Sequence, residues 1–326
     1  MNSDNENNIE TVGGISVRSE RIEFDAADLI PCGSCGRANA PNRSECIYCG
    51  KMLANLASRS EIKPRDLEAW EKGFNIVVLN FPPELEDCEP LPIDRGLMLR
   101  AGEIGPPLPV LRTASEGAAA MAAERMAGVG ALCLVVGDEE LEGDRPPMRL
   151  RSITIEGNTF VLTDFNTPGK VTFIMDSLEL IVSGRIFEER SEQMIRKDKK
   201  GVTELDRGST MKDSGVVDLY FAGDRRTFRI EETGFDFSFL GPDKSNLAAE
   251  NIKTLIERLR EASPSAKFSD DYFKKKGFIA EIWPAGSRND SKGVKRWNLG
   301  RSIANATVTS NREQFTKYSR LLRRTI

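Results

Sequence analysis

The chain reads as a multidomain α+β protein. It joins a small four-cysteine segment, an α/β unit built on a strand–helix–strand, and a seven-strand antiparallel β domain with a C-terminal capping helix. Three observations predict this. Four cysteines fall in two Cys-x-x-Cys pairs between residues 32 and 49. Residues 108–136 switch from a strand pattern to a helix pattern and back. From residue 148 onward, short β-rich runs recur between turn signals and end in one amphipathic helix. A length of 326 residues suits two or three domains, and 39% hydrophobic residues suffice to bury a core in each.

In chain order, residues 1–28 form a flexible acidic leader in which 16–24 could add a short strand. The cysteine segment occupies 29–54, and a polar connector leads to an α/β unit over 64–147. There, 65–72 predicts a short helix and 74–81 a strand. Seven prolines between 82 and 109 mark an irregular connection, with a short strand at 97–100. A strand at 108–113 follows. Thr113 and Glu116 have the spacing of a capping box, and a helix follows them. It presents Ala118, Met121, Ala122 and Met126 on one face, ends at Gly128 and Gly130, and leads to a central strand at 131–136. The β domain covers 148–263. Its strands are 149–156, 159–165, 170–175, 178–187, 216–221, 226–231 and 235–240, arranged as two packed sheets. The charged stretch 190–213 interrupts them as a surface excursion. The closing helix, 246–261, turns Ala248, Ile252, Leu255, Ile256 and Leu259 inward.

Residues 264–326 form a basic tail. They hold 14 Lys and Arg against 5 Asp and Glu, on a chain whose net charge is −4. Residues 285–311 read as mobile. The last segment is an amphipathic helix, with Phe315, Tyr318, Leu321 and Leu322 on one face among Arg312, Lys317, Arg320, Arg323 and Arg324. It suits a protein contact, within the chain or outside it. On that reading, removing 310–326 leaves the folded body intact.

The chemistry is concentrated in PCGSCGRANAPNRSECIYCGK. Each Cys-x-x-Cys turn brings two thiolates to about the edge length of a tetrahedral zinc site with ~2.3 Å Zn–S bonds. A glycine follows each second cysteine, at Gly36 and Gly50, where the chain turns sharply and a Cβ would strain a positive φ. Cys32, Cys35, Cys46 and Cys49 are the expected ligands of one structural zinc per chain. Thioredoxin-like redox chemistry uses a single Cys-x-x-Cys at a helix start, not two facing ones. Cys88 and Cys133 lie outside the pattern. Acid-rich loops at 84–89 and 138–144 lack the DxDxDG spacing of a calcium site.

The cysteine segment resembles the short bacterial zinc-ribbon domain, CxxCGxxNxxxxxxCxxCG, at Cys32, Cys35, Gly36, Asn39, Cys46, Cys49 and Gly50. It is also similar to the Ran-binding-protein type of zinc finger. That type stacks RNA bases on a tryptophan before the first cysteine, where Leu29, Ile30 and Pro31 stand here. These resemblances imply a metal and leave the partner open. The unit at 108–136 resembles half of a ferredoxin-like, PII-like signal-transducing domain. The stretch 148–262 resembles the pleckstrin-homology-like architecture, but its first loop, Glu156-Gly157-Asn158, lacks the basic residues of lipid-binding members.

Enzymatic activity is not expected. The chain has no histidine, so the serine triad, the Cys–His pair and the HExxH zinc sites are excluded. No GxxxxGK[ST] or GxGxxG loop follows a strand. The N-terminal ten residues are polar and acidic, unlike a secretory signal, and no apolar run is long enough to span a bilayer, so a cytoplasmic location is expected. The sequence therefore suggests a non-catalytic zinc-ribbon adaptor or regulatory protein that contacts an unknown protein partner. The alternative is a nucleic-acid-binding protein. It would use the ribbon and the tail, where Lys274, Lys275, Lys276, Arg288, Lys292, Lys295, Arg296 and Arg301 interleave with Tyr272, Phe273, Trp283 and Trp297.

Overall fold

The computed structural model describes residues 9–12, 15–18, 29–40, 43, 45–51, 53, 67, 71–81, 93–198, 201–297 and 300–326. The chain divides into two compact units, Met1–Lys63 and Pro64–Ile326. In the first unit, β1 (Ile9–Val12) and β2 (Ile15–Arg18) pair antiparallel within the expected leader. Next come β3 (Ile30–Pro31) and β4 (Ala38–Asn39), also antiparallel. Strands of two residues bury almost nothing, and the apolar cluster beside them is Ile30, Cys32, Cys46 and Leu53.

The second unit opens with β5 (Phe74–Asn80) and α1 (Arg95–Ile104). The strand expected at 97–100 lies inside α1, which starts where the Asp94 carboxylate accepts from the Leu97 N–H at 2.9 Å. The helix expected over 65–72 falls for the most part outside the described residues, as do 82–92. Then come β6 (Leu108–Thr113), α2 (Glu116–Gly128), β7 (Leu132–Gly137) and α3 (Asp138–Glu142). The strand order is β6-β5-β7, with β5 antiparallel to both neighbours. The central strand is thus β5, where Ile76, Val77 and Val78 are fully buried, and not β7, where Leu132 is 59% exposed. The cap of α2 also differs from expectation. Ser115, not Thr113, accepts from the Ala118 N–H, and Thr113 Oγ1 donates to the Ser115 carbonyl.

The larger sheet is built from β8 (Met148–Glu156), β9 (Thr159–Asp164), β10 (Lys170–Ile174), β11 (Leu178–Asp198), β12 (Gly201–Phe221) and β13 (Phe228–Glu231). After α4 (Ala248–Ala262) it takes in β14 (Lys267–Ser269). After α5 (Tyr272–Ile282) it takes in β15 (Gly286–Trp297) and β16 (Gly300–Ser310), before α6 (Arg312–Arg324) ends the chain. The order is β10-β9-β8-β13-β12-β11-β16-β15, with β14 beside β11. It is one nine-stranded mixed sheet rather than the seven-strand antiparallel domain expected, because β14–β16 join it and β13–β8 and β11–β14 are parallel.

This overturns three expectations. Residues 190–213 are not an excursion but the outer halves of β11 and β12. Residues 285–311 are not a mobile link but the hairpin β15–β16, paired to β11. Residues 235–240 are no strand. Phe235 and Phe237 are buried, and a short 3-10 helix, Ser238–Asp243, follows them. Charge misled the reading of the first, where Gly208 to Asp213 are exposed without interruption and show no apolar alternation.

The inner halves of β11 and β12 form a wall with a core on each side, because successive residues of a strand point to opposite faces. Val216 and Tyr220 face one core and Val217, Leu219 and Phe221 the other. The second core is closed by α4, whose Ile252, Leu255, Ile256 and Leu259 are buried as expected, with Ala248 half-buried. The first core joins β5, β6, α2 and β7 to the C-terminal helices. Tyr272, Phe278, Trp283, Phe315, Tyr318, Leu321 and Leu322 are all buried in it. Gly184 on β11 is needed there, because a Cβ would lie 2.5 Å from Phe315 Cε2 and 3.0 Å from Tyr272 Cδ1.

Helix α6 is therefore a core element, not a removable docking tail. Its cations also find partners within the chain. Lys317 reaches Asp138 at 2.9 Å, Arg320 donates to the Leu141 and Arg145 carbonyls, and Arg323 to those of Phe221 and Asp224. Arg312 pairs with Glu231, and Arg324 with Glu140 at 2.6 Å. The cations of α6 are thus engaged within the chain, Lys317, Arg312 and Arg324 by carboxylates and Arg320 and Arg323 by backbone carbonyls. Among the described residues, no helix is long and apolar enough to cross a membrane.

Candidate metal centre

Two tight turns build the cysteine site, and their backbone bonds correspond. In the first, the Cys32 N–H donates to the Arg37 carbonyl at 2.9 Å and the Gly36 N–H to the Cys32 carbonyl at 2.8 Å. In the second, Cys46 N–H to Lys51 and Gly50 N–H to Cys46 are both 2.9 Å. Gly36 and Gly50 sit at φ 71° and 70°, the left-handed region that the repeated CxxCG pattern implies. Asn39 locks one turn to the other. Its Nδ2 donates to the Arg37 carbonyl at 2.8 Å, and its Oδ1 accepts from the Ile47 N–H at 3.0 Å. The sequence marks Asn39 as part of the pattern, and the geometry supplies the reason.

The four expected ligands meet. Cys32 Sγ lies 3.7 Å from Cys49 Sγ, and Cys35 Sγ lies 3.5 Å from Cys46 Sγ. All four sulfur atoms fall within 4.8 Å of one another and could hold a metal ion. These separations far exceed the ~2.05 Å of a disulfide bond, and all four cysteines are free. They match the ~3.8 Å edge of a tetrahedron with ~2.3 Å metal–sulfur bonds. Cys32 and Cys46 are buried, and Cys35 and Cys49 are exposed.

The electrostatics call for a cation. N–H groups of Cys35 and Ser34 aimed at Cys32 hold its thiol below the ordinary range. Burial pushes the Cys46 thiol up, but the Tyr48 N–H and the Cys35 thiol outweigh it and bring it down to about 6. Cys35 is drawn down by the Arg37 N–H, yet burial and the three neighbouring thiols push it to about 11. Four thiolates so close repel one another, and a bound divalent cation is what lets all four ionise together.

The other sequence candidates do not join the site. Cys133 is half-buried beside Met126, and burial pushes its thiol to about 11. Cys88 and the loop 84–89 lie outside the described residues. Asp138 of the second acidic loop is occupied by Arg112 and Lys317, and no other metal-ligating cluster occurs among the described residues. The residues proposed for nucleic-acid contact also divide. Tyr272 and Trp283 are buried, and Lys275 is buried with its Nζ on the Pro106 carbonyl at 2.8 Å. Phe273 is 65% exposed.

Sequence reasoning missed the pair between the last two cysteines. Ile47 and Tyr48 are 53% and 51% exposed, and the Arg37 guanidinium stacks 4.7 Å from the Tyr48 ring centroid. The only sequence signal for this pair was two large side chains in a turn too small to bury them. No protein-family model, curated protein or solved structure matches the chain.

Proposed function

We propose that this protein is a non-catalytic zinc-ribbon adaptor that contacts another protein through its cysteine segment. The observation behind this reading is the exposed Ile47–Tyr48 pair, held between two ligand cysteines and flanked by Arg37. A small turn fixed by a metal presents such side chains with little loss of conformational freedom on binding, and Tyr and Arg are frequent binding anchors. The metal assigned is one structural zinc per chain on Cys32, Cys35, Cys46 and Cys49. Four thiolates saturate a tetrahedral zinc and leave no position for a reactive water, which supports a structural role over a catalytic one. Free thiolate ligands suit the reducing cytoplasm, where we place the protein. The split arrangement of β5, β6 and β7 around α2, and the larger sheet closed by α4, support reading the rest as a ferredoxin-like and pleckstrin-homology-like scaffold.

The test is affinity capture from the native host with full-length protein, comparing wild type with Ile47→Ala/Tyr48→Ala. A partner held by wild type and lost by the double variant, with zinc content unchanged, supports the reading. Equal capture by the two proteins would contradict it.

A further inference from the structure

The three-stranded sheet ends on a bare edge. Strand β7 pairs with β5 alone, and its other side has no strand partner among the described residues. Its sequence, Leu132-Cys133-Leu134-Val135-Val136-Gly137, contains no charged residue and no proline, the features that usually blunt an edge. Other edges are protected. β6 carries Pro109 and lies against α1 and α5, and β10 carries Lys170.

The register shows which backbone groups face outward. The Asp138 N–H donates to the Gly73 carbonyl at 2.8 Å, while Phe74 is paired with Gly137 and Asn75 with Val136. Bonded positions alternate along an antiparallel ladder. Val136 and Leu134 therefore turn their N–H and C=O groups to β5, and Cys133, Val135 and Gly137 turn theirs to the bare side. The Gly137 N–H is taken by Glu140 Oε1 at 3.1 Å. Before the strand, the Ala131 N–H is taken by the Met126 carbonyl at 3.0 Å. The open groups are thus those of Cys133 and Val135.

Helix α2 overhangs the same edge. It lies over β7 more than over β5 or β6, and its buried line is Ala119, Ala122 and Met126. β6 and β7 are parallel to each other, since each is antiparallel to β5. A helical crossover between parallel strands of one sheet is right-handed in almost every fold. At about 100° per residue, that hand turns the flank formed by Ala120, Ala123 and Ala127 toward the bare edge. Ala120 and Ala127 are exposed and Ala123 is half-buried, whereas the opposite flank, Ala118, Met121 and Arg125, is half-buried throughout.

We propose that β7 pairs antiparallel with β7 of a second copy of this chain, joining the two three-stranded sheets into one across a two-fold axis. One register uses the open groups of both strands. It sets Cys133 opposite Val135 of the second copy and Val135 opposite its Cys133, with Leu134 on the axis. Every open N–H then meets an open C=O. A shift either way would call on the N–H of Ala131 or of Gly137, and both are already engaged. Leu132, 59% exposed in the single chain, gains Val136 of the second copy as its cross-strand neighbour. With strands ~4.8 Å apart and α2 set in from the edge, the two α2 helices lie about 10 Å apart, the spacing of packed helices. They run antiparallel, so Ala120 of one meets Ala127 of the other beside Ala123 near the axis. An extended peptide from another protein would fill the strand edge and leave the alanine flank bare. A second copy covers both with one operation and sets no like charges opposite each other along β7 or that flank. This inference is independent of the metal centre and of Ile47 and Tyr48.

The experiment is sedimentation velocity of full-length protein from about 1 to 100 μM, where wild type should form a species of twice the 36.2 kDa of one chain. Val135→Pro removes an N–H that faces the bare side, so the β5–β7 ladder keeps its bonds. It should raise the dimer dissociation constant about tenfold or more. Ala120→Lys/Ala127→Lys, at exposed positions, sets like charges opposite each other across the axis and should have an effect of the same size. Ala120→Lys/Ala127→Glu sets opposite charges there and should dimerise about tenfold or more tightly than the like-charge variant. Cys46→Ser should dimerise like wild type. Unchanged far-UV circular dichroism of the two α2 variants separates lost pairing from lost folding. A wild type that stays monomeric throughout would overturn the proposal. So would a dimer left intact by either Val135→Pro or the like-charge variant, or an equal loss in the two charge variants.

Discussion

Asp138→Asn tests the polar junction that ties the C-terminal helix to β5 and β6. The Asp138 side chain is fully buried. Its Oδ2 accepts from Arg112 at 2.5 and 2.8 Å and from the Gly73 N–H at 2.9 Å. Its Oδ1 accepts from Lys317 at 2.9 Å and from Asn75 at 3.1 Å. Arg112 and Lys317 are themselves only 13% and 14% exposed. An amide at this position leaves two nearly buried cations without their counter-charge, a class of change that costs about 3–5 kcal/mol. The lower end applies, because Lys317 keeps Glu142 at 3.3 Å. At about 2 °C per kcal/mol for a unit of this size, thermal unfolding should fall by about 6 °C at neutral pH. Burial pushes the Asp138 carboxyl up, but Lys317, then Arg112 and Asn75, outweigh it and hold it below the ordinary carboxylate range. Stabilisation by a group lowered in this way is complete above the unfolded value of about 3.9 and is lost as pH falls through the folded value. The gap between wild type and variant, followed by circular dichroism melts, should therefore be full at pH 7 and close in acid. A gap under about 2 °C, or one as wide in acid as at neutral pH, would refute the reasoning.

Three further outcomes follow from the packing and the metal site. Phe315→Ala empties a fully buried position and should cost about 3–5 kcal/mol by chemical denaturation, whereas a dispensable tail helix would lose almost nothing. Gly184→Ala drives a Cβ into the Phe315 ring and should cost about 1–3 kcal/mol in the same assay, and Phe315→Leu should relieve part of that cost. Asn39→Ala breaks the bond to Arg37 in the first turn and the bond to Ile47 in the second, and should weaken metal retention against a competing chelator about 10–100-fold, leaving the melt of residues 64–326 unchanged.

Much of this was legible in the sequence because local patterns fixed it. The paired CxxCG spacing fixed the sulfur cluster and both left-handed glycines. Strand and helix periodicity located β6, α2, β7 and α4 and the buried face of α6. The failures are long-range. Nothing local shows that Phe315 packs against Tyr272 and Gly184, or that Lys317 reaches Asp138. The tail's cations read as available to a partner, although five of them are satisfied inside the chain. The outer halves of β11, β12, β15 and β16 were missed for a different reason. Gly208 to Asp213 are exposed without interruption, so β12 shows no buried face there. Helix α1 was hidden by the prolines before it and by Gly96 and Gly102 within it.

The most direct test of the account is the metal content of purified full-length protein, by inductively coupled plasma mass spectrometry, beside Cys46→Ser. The account predicts one zinc per chain in wild type and none in the variant, with the unit 64–326 still melting cooperatively in both. A wild-type chain that holds no metal while its cysteine segment stays folded would contradict it, as would one zinc retained after loss of Cys46.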